Sequence, residues 1–237
     1  MTKTYSDAME LTSNYNSWVI KQFEPWLGKR IIEIGIGHGG SFAFLPQNCK
    51  YLGVDIDPTI VLLNKKKYPK NNYIISDVTK EEFVSVAKEF NADTVICFNV
   101  LEHIKKDNDA LKLMLKSLPV DGCLHILVPS HKFLFNEIDR LAGHCRRYSK
   151  NELENKILSN FSTKEIDIMK FCFFNSVGAI GWLINKYSRH SSIDSNALNF
   201  QISMYDKYFI WPSKILQPFT KFFFGQSLIL VIKKKSN

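Results

Sequence analysis

The sequence predicts an α/β fold with a doubly wound parallel sheet. Short apolar segments at 51–55, 93–98 and 123–128 are typical of strands, and amphipathic stretches typical of helices lie between them. Glycines follow the first apolar pair, Ile31-Ile32, where a doubly wound sheet often places a ligand-binding turn. The 237 residues suit one domain with a large core, and the chain has no internal repeat.

The individual elements follow in chain order. The predicted strands begin with Ile31-Ile32 and continue at 51–55, 72–77, 93–98, 123–128, 164–169 and 227–232. A helix after the fourth strand ends before Pro119, and its apolar face consists of Leu111, Met114, Leu115 and Leu118. A further helix is predicted at 151–158. Strands that alternate with helices give parallel neighbours joined by right-handed crossovers.

A glycine-rich loop, 33–40 (EIGIGHGG), follows the first strand directly. Its glycines let the backbone turn sharply and approach a ligand with no side chain in the way. Asp55 ends the next strand, where a carboxylate can accept both hydroxyls of a ribose. The loop and this carboxylate together predict a site for a nucleoside cofactor. Alternatively, Asp55 is the N-cap of the helix that begins at Pro58, although Asp57 is free to take that position.

Two classes of cofactor fit a loop of this kind. Gly35, Gly37 and Gly40 satisfy the G-x-G-x-x-G pattern of dinucleotide sites, as in a nicotinamide oxidoreductase. Glu33 favours the other class, because a carboxylate beside the loop would repel a pyrophosphate and attract a cation. S-adenosylmethionine carries a sulfonium and an ammonium where NAD carries phosphates. The sequence therefore resembles the class I S-adenosylmethionine-dependent methyltransferases, and in particular their small-molecule members.

This resemblance implies a Rossmann-like sheet of seven strands whose last strand runs antiparallel between the fifth and the sixth. It also implies that the glycine loop passes the methionine part of the cofactor and that Asp55 binds the ribose. Asp77 would contact the adenine amino group, and Val78 would pack beside the ring. The cofactor-binding residues that the resemblance implies are Tyr15, Glu33, Gly35, Gly37, Gly39, Asp55, Ile56, Asp77, Val78, Asn99 and Val100.

The segment 99–104 (NVLEHI) follows the fourth strand and is similar to the segment that the family carries there. Its alternative interpretation is a plain strand-to-helix junction, in which Glu102 suits the positive end of a helix dipole. Methyl transfer needs in-line positioning, and a base only where the acceptor must lose a proton. Histidine suits that role near neutral pH, so His103 and His144 are candidate catalytic residues. His131 ranks below them and is predicted to contact the substrate.

The segment 139–148 (DRLAGHCRRY) resembles the GHxRRY stretch of methyltransferases that act on glycan, polyketide or lipid-linked substrates. One interpretation is a substrate pocket in which Arg146 or Arg147 holds an anionic group and His144 or Tyr148 touches the reacting atom. The other is structural, with the arginines and the histidine fixing a long loop to Asp139 and the helix that follows. The resemblance implies methyl transfer to an oxygen or nitrogen of a small-molecule, glycan or lipid-linked acceptor.

Two regions lie outside the minimal fold. An aromatic helix pattern at 5–27, with Tyr15 and Trp18, resembles a cap that closes over the cofactor, or it packs on the sheet as an amphipathic helix. An aromatic insertion at 172–224 is predicted to form helices at 175–188 and 201–222, joined by a polar stretch at 188–199. The single predicted domain thus divides into a cap at 1–28, a core at 29–171 and 225–235, and the insertion.

The formal charge of +8 does not by itself indicate a nucleic-acid enzyme, because the basic residues are dispersed apart from Lys65–Lys67 and 233–235. The chain also lacks the N-P-P-Y segment of nucleic-acid amino-methyltransferases. A nucleic-acid methyltransferase and a nonenzymatic nucleotide-binding module remain the alternatives.

The cysteine content and the hydropathy of the sequence indicate the cellular compartment. The five cysteines form no C-x-x-C pair, so the sequence indicates neither a disulfide framework nor a metal site, and reduced thiols fit the cytoplasm. Neither a signal peptide nor an apolar run long enough to span a bilayer is predicted. Phe222–Phe224 and the lysines at 233–235 allow contact with a membrane or a lipid-linked substrate. Alternatively, these phenylalanines pack under the last strand.

Overall fold

The computed structural model describes residues 12–186, 192–193 and 195–236. The strands are β1 (Arg30–Ile34), β2 (Lys50–Asp55), β3 (Asn72–Ile75), β4 (Thr94–Phe98), β5 (Cys123–Pro129), β6 (Ile166–Phe174) and β7 (Ser227–Lys234). The α-helices are α1 (Ser13–Phe23), α2 (Pro58–Lys67), α3 (Glu81–Glu89), α4 (Asp107–Ser117), α5 (Glu137–Leu141), α6 (Lys150–Asn160), α7 (Ser176–Asn185), α8 (Asn196–Met204) and α9 (Ile210–Thr220). A π-helical segment, Tyr205–Phe209, joins α8 to α9.

The strands form one seven-stranded sheet in the order β3-β2-β1-β4-β5-β7-β6. The strands from β3 to β5 in this order pair in parallel, whereas β7 runs antiparallel to both of its neighbours. The doubly wound fold and the antiparallel last strand between the fifth and sixth strands are therefore confirmed. This order places the carboxyl ends of β1, β2, β4 and β5 along one edge of the sheet.

Helices cover both faces of the sheet because successive strand residues point in opposite directions. Ile32 faces the layer that contains α3, α4 and α6, while Ile31 faces the layer that contains α1 and α2. The predicted apolar face of α4 is buried in the first layer, as expected. On the second face, Trp18 and Phe23 of α1 pack against aromatic residues of the sheet. The amphipathic interpretation of this helix is therefore confirmed for residues 13–23.

Several predicted boundaries were wrong. The first insertion helix ends at Asn185 rather than at 188, and the helix predicted at 201–222 is divided into the end of α8, the π-helical segment and α9. The sixth strand extends from Ile166 to Phe174 rather than over 164–169, because its aromatic second half pairs fully with β7. The second insertion helix begins at Asn196 rather than at 201, because the Ser195 hydroxyl caps it by accepting from the amide of Leu198. Residues 1–11, 187–191 and 194, which include parts of the predicted cap, helix end and polar stretch, lie outside the described residues.

No helix in the described ranges combines the length and the apolar character that crossing a bilayer requires. The insertion instead forms a layer of shorter helices, α7 to α9, that lies over the carboxyl edge of the sheet and meets α1.

Candidate active site

A cavity of about 750 Å³ opens where the carboxyl ends of β1, β4 and β5 face the insertion helices. Eight of the predicted site residues line it: Tyr15, Glu33, Gly35, Gly37, Asn99, His103, His144 and Arg147. The other predicted residues lie outside the lining: Gly39, Asp55, Ile56, Asp77, Val78, Val100, His131, Arg146 and Tyr148. The cavity thus brings together the start of the glycine loop, the end of β4 and the loop that follows β5.

The glycine loop has a backbone that only glycine adopts without strain. Gly35, Gly37 and Gly39 have φ angles of +69°, +47° and +78°. A Cβ at Gly35 would collide with Val100, whereas a Cβ at Gly37 would meet no atom within 4 Å among the described residues. The Asn64 amide donates to the carbonyl of Gly37 at 2.7 Å and holds the loop in place. Val100 therefore supports the loop from behind, and Gly37 leaves open space at the cavity.

Glu33 is a buried carboxylate at the end of β1, with 3% of its surface exposed. The Tyr51 hydroxyl donates to its Oε2 at 2.6 Å. Burial raises the pKa of Glu33 to about 7, although the bond from Tyr51 acts in the opposite direction. A buried carboxylate that is costly to ionise gains most from a cationic partner, so Glu33 fits an ammonium or sulfonium group.

Asp55 lies at the end of β2, and it accepts the amide of Asp57 at 2.9 Å. Burial raises its pKa. The N-cap of α2 is Asp57, which accepts from the amide of Thr59 at 2.8 Å. Because Asp57 fills the cap position, Asp55 is not needed there, and its carboxylate instead accepts from backbone amides that include Gly37 of the glycine loop.

Asp77 follows β3, next to Asp55 along the edge of the sheet. Its Oδ1 accepts from the amide and the hydroxyl of Thr79, at 2.9 and 2.7 Å, and so closes a local turn. Val78 is buried beneath this turn, and Ile56 exposes 63% of its surface beside Asp55. The edge therefore offers a carboxylate near the carboxyl end of each of β1, β2 and β3, with apolar side chains between them. These groups fit a cofactor that carries cationic, hydroxyl and aromatic parts.

Asn99 directly follows β4 and has a left-handed conformation, with φ of +52°. Its amide donates to the carbonyl of Leu127 at 2.8 Å. A left-handed backbone at a residue other than glycine marks a position where the surrounding structure imposes the shape, as is common at functional sites. The turn that follows, Leu101–His103, directs the His103 ring into the cavity lining.

His103 and His144 come from distant parts of the chain and meet at the cavity. Their ring centroids lie 4.7 Å apart in an edge-to-face arrangement. Burial lowers the pKa of His103 to about 4. A neutral ring with so low a pKa is a weak proton acceptor, so His103 alone is poorly suited to deprotonate an acceptor.

The loop 139–148 is held by buried ion pairs. Arg147 Nη2 lies 2.9 Å from Asp139 Oδ1, and both side chains are almost fully buried. The Nδ1 atom of His144 lies 2.8 Å from the same oxygen. Burial alone would raise the pKa of Asp139, but the bond with His144 and the charge of Arg147 outweigh it and hold the pKa below its usual range. The arrangement matches the structural interpretation of this segment.

The remaining predicted substrate residues do not line the cavity and have other partners. Arg146 pairs with Asp107 at 2.6 Å, and the fully buried Tyr148 donates its hydroxyl to the same carboxylate at 2.9 Å. The His131 ring stacks on Phe173 with the centroids 4.8 Å apart. These contacts account for the three residues structurally, so we do not carry them into the acceptor site.

Sequence reasoning missed the residues that join the insertion to the site. Asp206, in the π-helical segment, accepts from the amides of Asn14 and Tyr15 at the start of α1. Asn175 is the N-cap of α7, with φ of +64°, and accepts from the hydroxyl of Tyr205, which lines the cavity. These pairs are distant in sequence, and no local pattern marks them.

Comparison with known proteins agrees with this geometry. Residues 32–124 match the family described as Methyltransferase domain (Methyltransf_12). A SAM-dependent methyltransferase from Archaeoglobus fulgidus is 16% identical with a TM-score of 0.56, over 94% of this chain and 94% of that chain. The YcgJ protein from Bacillus subtilis is 13% identical with a TM-score of 0.59, over 94% and 99%. The plantazolicin methyltransferase BpumL, solved with SAH, is 14% identical with a TM-score of 0.54, over 97% and 84%.

At these identities the solved structures show a shared fold, whereas the family match covers the glycine loop, Asp55, Asp77 and the 99–104 segment. No curated protein matches the chain. The match to a methyltransferase domain over residues 32–124 and the shared fold agree with the predictions of a class I methyltransferase and of S-adenosylmethionine as its cofactor. The roles of individual residues stay predictions.

Proposed function

We propose that this protein transfers a methyl group from S-adenosylmethionine to an oxygen or nitrogen atom of an apolar, lipid-linked acceptor. The observation that carries the proposal is the cavity that joins the glycine loop to the insertion helices. One end of this cavity is formed by the residues expected to hold the cofactor. The other is formed by apolar side chains that no methyltransferase core requires.

The residues along the strand ends would hold the cofactor. Glu33 would pair with its cationic amino acid part, and Asp55 would accept the hydroxyls of the ribose. Asp77 and Val78 would contact the adenine, as the family resemblance implies. When bound, the cofactor supplies a methyl group already activated by a sulfonium. The chain therefore has to position the acceptor in line with that methyl and exclude water.

The acceptor half of the cavity is largely apolar. Residues of α7, α8 and the adjoining segments line it: Ile180, Ile184, Ile193, Leu198, Phe200, Ile202 and Phe209. A surface of this kind binds hydrocarbon rather than sugar or phosphate, since it offers few hydrogen-bond partners. Arg147 faces this cavity but is already paired with Asp139. The lining therefore favours an acceptor whose reactive polar end lies near His103 and His144 and whose apolar part extends between the helices.

An apolar surface outside the cavity supports delivery from a membrane. Trp211 and Phe219 of α9 expose 72% and 70% of their surfaces, and Ile215 lies between them on the same helix face. The neighbouring Phe222 and Phe223 are also exposed, so the alternative that they pack under the last strand was wrong for these two residues, whereas Phe224 packs against the ring of His131.

The charges on this face match an anionic lipid surface. Lys207 and Lys214 are exposed beside the apolar residues, and Lys221 lies at the end of α9. Between residues 195 and 224 the chain has one acidic side chain, Asp206, which is buried against α1. A helix that presents large apolar residues flanked by lysines is typical of interfacial membrane binding. The bilayer is therefore the proposed source of the acceptor.

Calorimetry and a transfer assay test the enzymatic part of the proposal. We expect purified protein to bind S-adenosylmethionine and S-adenosylhomocysteine, and to bind no NAD. Incubation with cofactor labelled in the methyl group and a lipid extract should place the label in the organic phase. Label found only in nucleic acid or protein fractions would contradict the acceptor class without affecting the cofactor assignment.

Vesicle flotation tests the membrane part. We expect binding to vesicles of phosphatidylglycerol and weaker binding to phosphatidylcholine alone. Trp211→Ser with Phe219→Ser should weaken binding about tenfold or more, because each ring loses buried apolar area. Leu62→Ser is the matched control, since Leu62 exposes a similar fraction of its surface, 65%, but lies on α2. Equal binding of the double variant and the control would refute the proposed surface.

A further inference from the structure

Glu102 is a buried acid whose carboxylate has no hydrogen-bond partner among the described residues. None of its surface is exposed, and in the described part of the chain neither carboxylate oxygen accepts a hydrogen bond from another residue. The Nε2 atom of His144 is 3.9 Å from Oε1, beyond hydrogen-bond distance. Burying a carboxyl group without a hydrogen-bond partner is unfavourable, and a bound ligand would remove this cost.

Two imidazoles share this space with Glu102. Glu102, His103 and His144 each have one potential ligand atom in this space, and these three atoms lie within 4.8 Å of one another. Coordination to a single cation at about 2.1 Å from each atom would require the three atoms to move together by about 1 Å. Rotation of the side chains supplies such a movement, since the three residues lie on a short turn and a loop.

His144 is oriented in the way that metal-binding histidines usually are. Its Nδ1 atom is hydrogen-bonded to Asp139 Oδ1 at 2.8 Å, which leaves Nε2 as the free acceptor nitrogen on the side of Glu102. Asp139 is itself fixed by Arg147 and by the indole N–H of Trp182, at 3.3 Å. His103 forms a hydrogen bond with the backbone of Gly143.

From this geometry we infer that Glu102, His103 and His144 bind one divalent first-row transition-metal cation. Two histidines and one carboxylate form a ligand set suited to zinc and to iron(II), and they leave further coordination positions open. His103 and His144 line the cavity, so the open positions face the acceptor. Sites with an open position are catalytic more often than structural.

The inference rests on the proposed function and makes it more specific, because it identifies the acceptor atom as a hydroxyl oxygen. A hydroxyl coordinated at the open position loses its proton to water more readily than a free hydroxyl. The resulting oxygen then forms a bond to the methyl carbon. The carbon–sulfur bond breaks, and its electron pair stays on sulfur. This role removes the need for His103 to act as a base.

Metal binding can be measured without methyl transfer. Full-length protein stripped with a chelator would be titrated with Co²⁺ by calorimetry and by visible absorption. We expect one Co²⁺ per chain, d–d bands typical of nitrogen and oxygen ligands, and a higher melting temperature. Zn²⁺ should compete for the same site. The inference is overturned if wild-type protein shows neither binding nor a change in melting temperature.

Variants locate the cation. Glu102→Gln and His144→Ala should lose Co²⁺ affinity by at least a hundredfold, whereas Asp139→Asn should lose about tenfold to a hundredfold because it acts through His144. His131→Ala is the matched control, since it removes a histidine outside the cluster. Unchanged affinity in Glu102→Gln, or equal loss in His131→Ala, would contradict the assignment.

Calorimetry with S-adenosylmethionine separates this inference from the proposed function. Cofactor binding by the chelated protein should persist if the cation serves the acceptor. Metal binding without any methyl transfer would support the metal site and refute the proposed reaction. Methyl transfer by chelated protein, together with no binding of Co²⁺, would refute the metal site and support the proposed reaction.

Discussion

Glu33 links the stability of the protein to its cofactor, and Glu33→Gln tests this link. Burial raises the pKa of Glu33 from 4.5 to about 7. At about 1.36 kcal/mol for each pKa unit, keeping this group ionised in the cofactor-free protein costs roughly 3 kcal/mol. Because the folded pKa is the higher one, Glu33 favours the folded state fully below pH 4.5. That contribution is lost as the pH rises through 7.

The glutamine variant has the same shape but does not titrate. Urea unfolding of the cofactor-free proteins should therefore give stabilities within about 1 kcal/mol of each other at pH 5. At pH 8 the variant should be more stable than wild type by up to roughly 3 kcal/mol. The variant should also bind S-adenosylmethionine more weakly at pH 8, because it lacks the carboxylate that pairs with the cationic part of the cofactor.

The Tyr51 hydroxyl offers a matched control. Its hydrogen bond lowers the pKa of Glu33 and so opposes the effect of burial. Tyr51→Phe should therefore raise this pKa further. The pH at which the folded protein loses the contribution of Glu33 should move upward. Subtracting the variant from wild type removes the contributions of other titrating groups. If the difference in unfolding free energy between wild type and Glu33→Gln stays constant between pH 5 and pH 8, the raised pKa assigned to Glu33 is refuted. Stronger cofactor binding by Glu33→Gln would refute its pairing with a cation.

Four further substitutions test the remaining roles. Asp55→Ala should cost about 1 to 3 kcal/mol of cofactor affinity by calorimetry, the range for hydrogen bonds to a charged group. Asp57→Ala should instead lower the free energy of unfolding by about 1 kcal/mol through loss of the helix cap and leave that affinity unchanged. Arg147→Ala should lower stability by about 3 to 5 kcal/mol in urea unfolding, because Asp139 would be left buried without its cation. His144→Ala should reduce turnover about 10² to 10⁴-fold with cofactor affinity retained; a parallel loss of melting temperature and activity would assign it to the structure of the loop.

The sheet and the glycine loop were predictable because their signals are local. Ile31 and Ile32 face opposite layers, as the period of a strand requires, and glycines at 35, 37 and 39 all adopt positive φ. The end of β6 was not predictable, since a run of aromatic residues fits a buried strand and an insertion helix equally well. Its pairing with β7 decides the outcome, and that partner lies far along the chain.

The site was harder to predict where it depends on pairs distant in sequence. Asp206 and the start of α1 are the clearest case, because no pattern in either segment indicates the other. Arg146 shows the same limit: a cation was expected to bind substrate or the following helix, and its partner is Asp107 at the start of α4. Residue type predicts that a partner is needed, but only the fold determines which one it is.

The two interpretations of the 139–148 segment are not exclusive, because both depend on Asp139. Arg147 neutralises this buried acid, and the acid in turn holds His144 by its Nδ1 atom. Without the arginine, Asp139 would favour its protonated form and could no longer fix the histidine as a hydrogen-bond donor to a carboxylate. The ion pair that stabilises the loop therefore also sets the direction of His144 Nε2 toward Glu102. An arginine that never touches a substrate can thus be needed for the chemistry that the histidine performs.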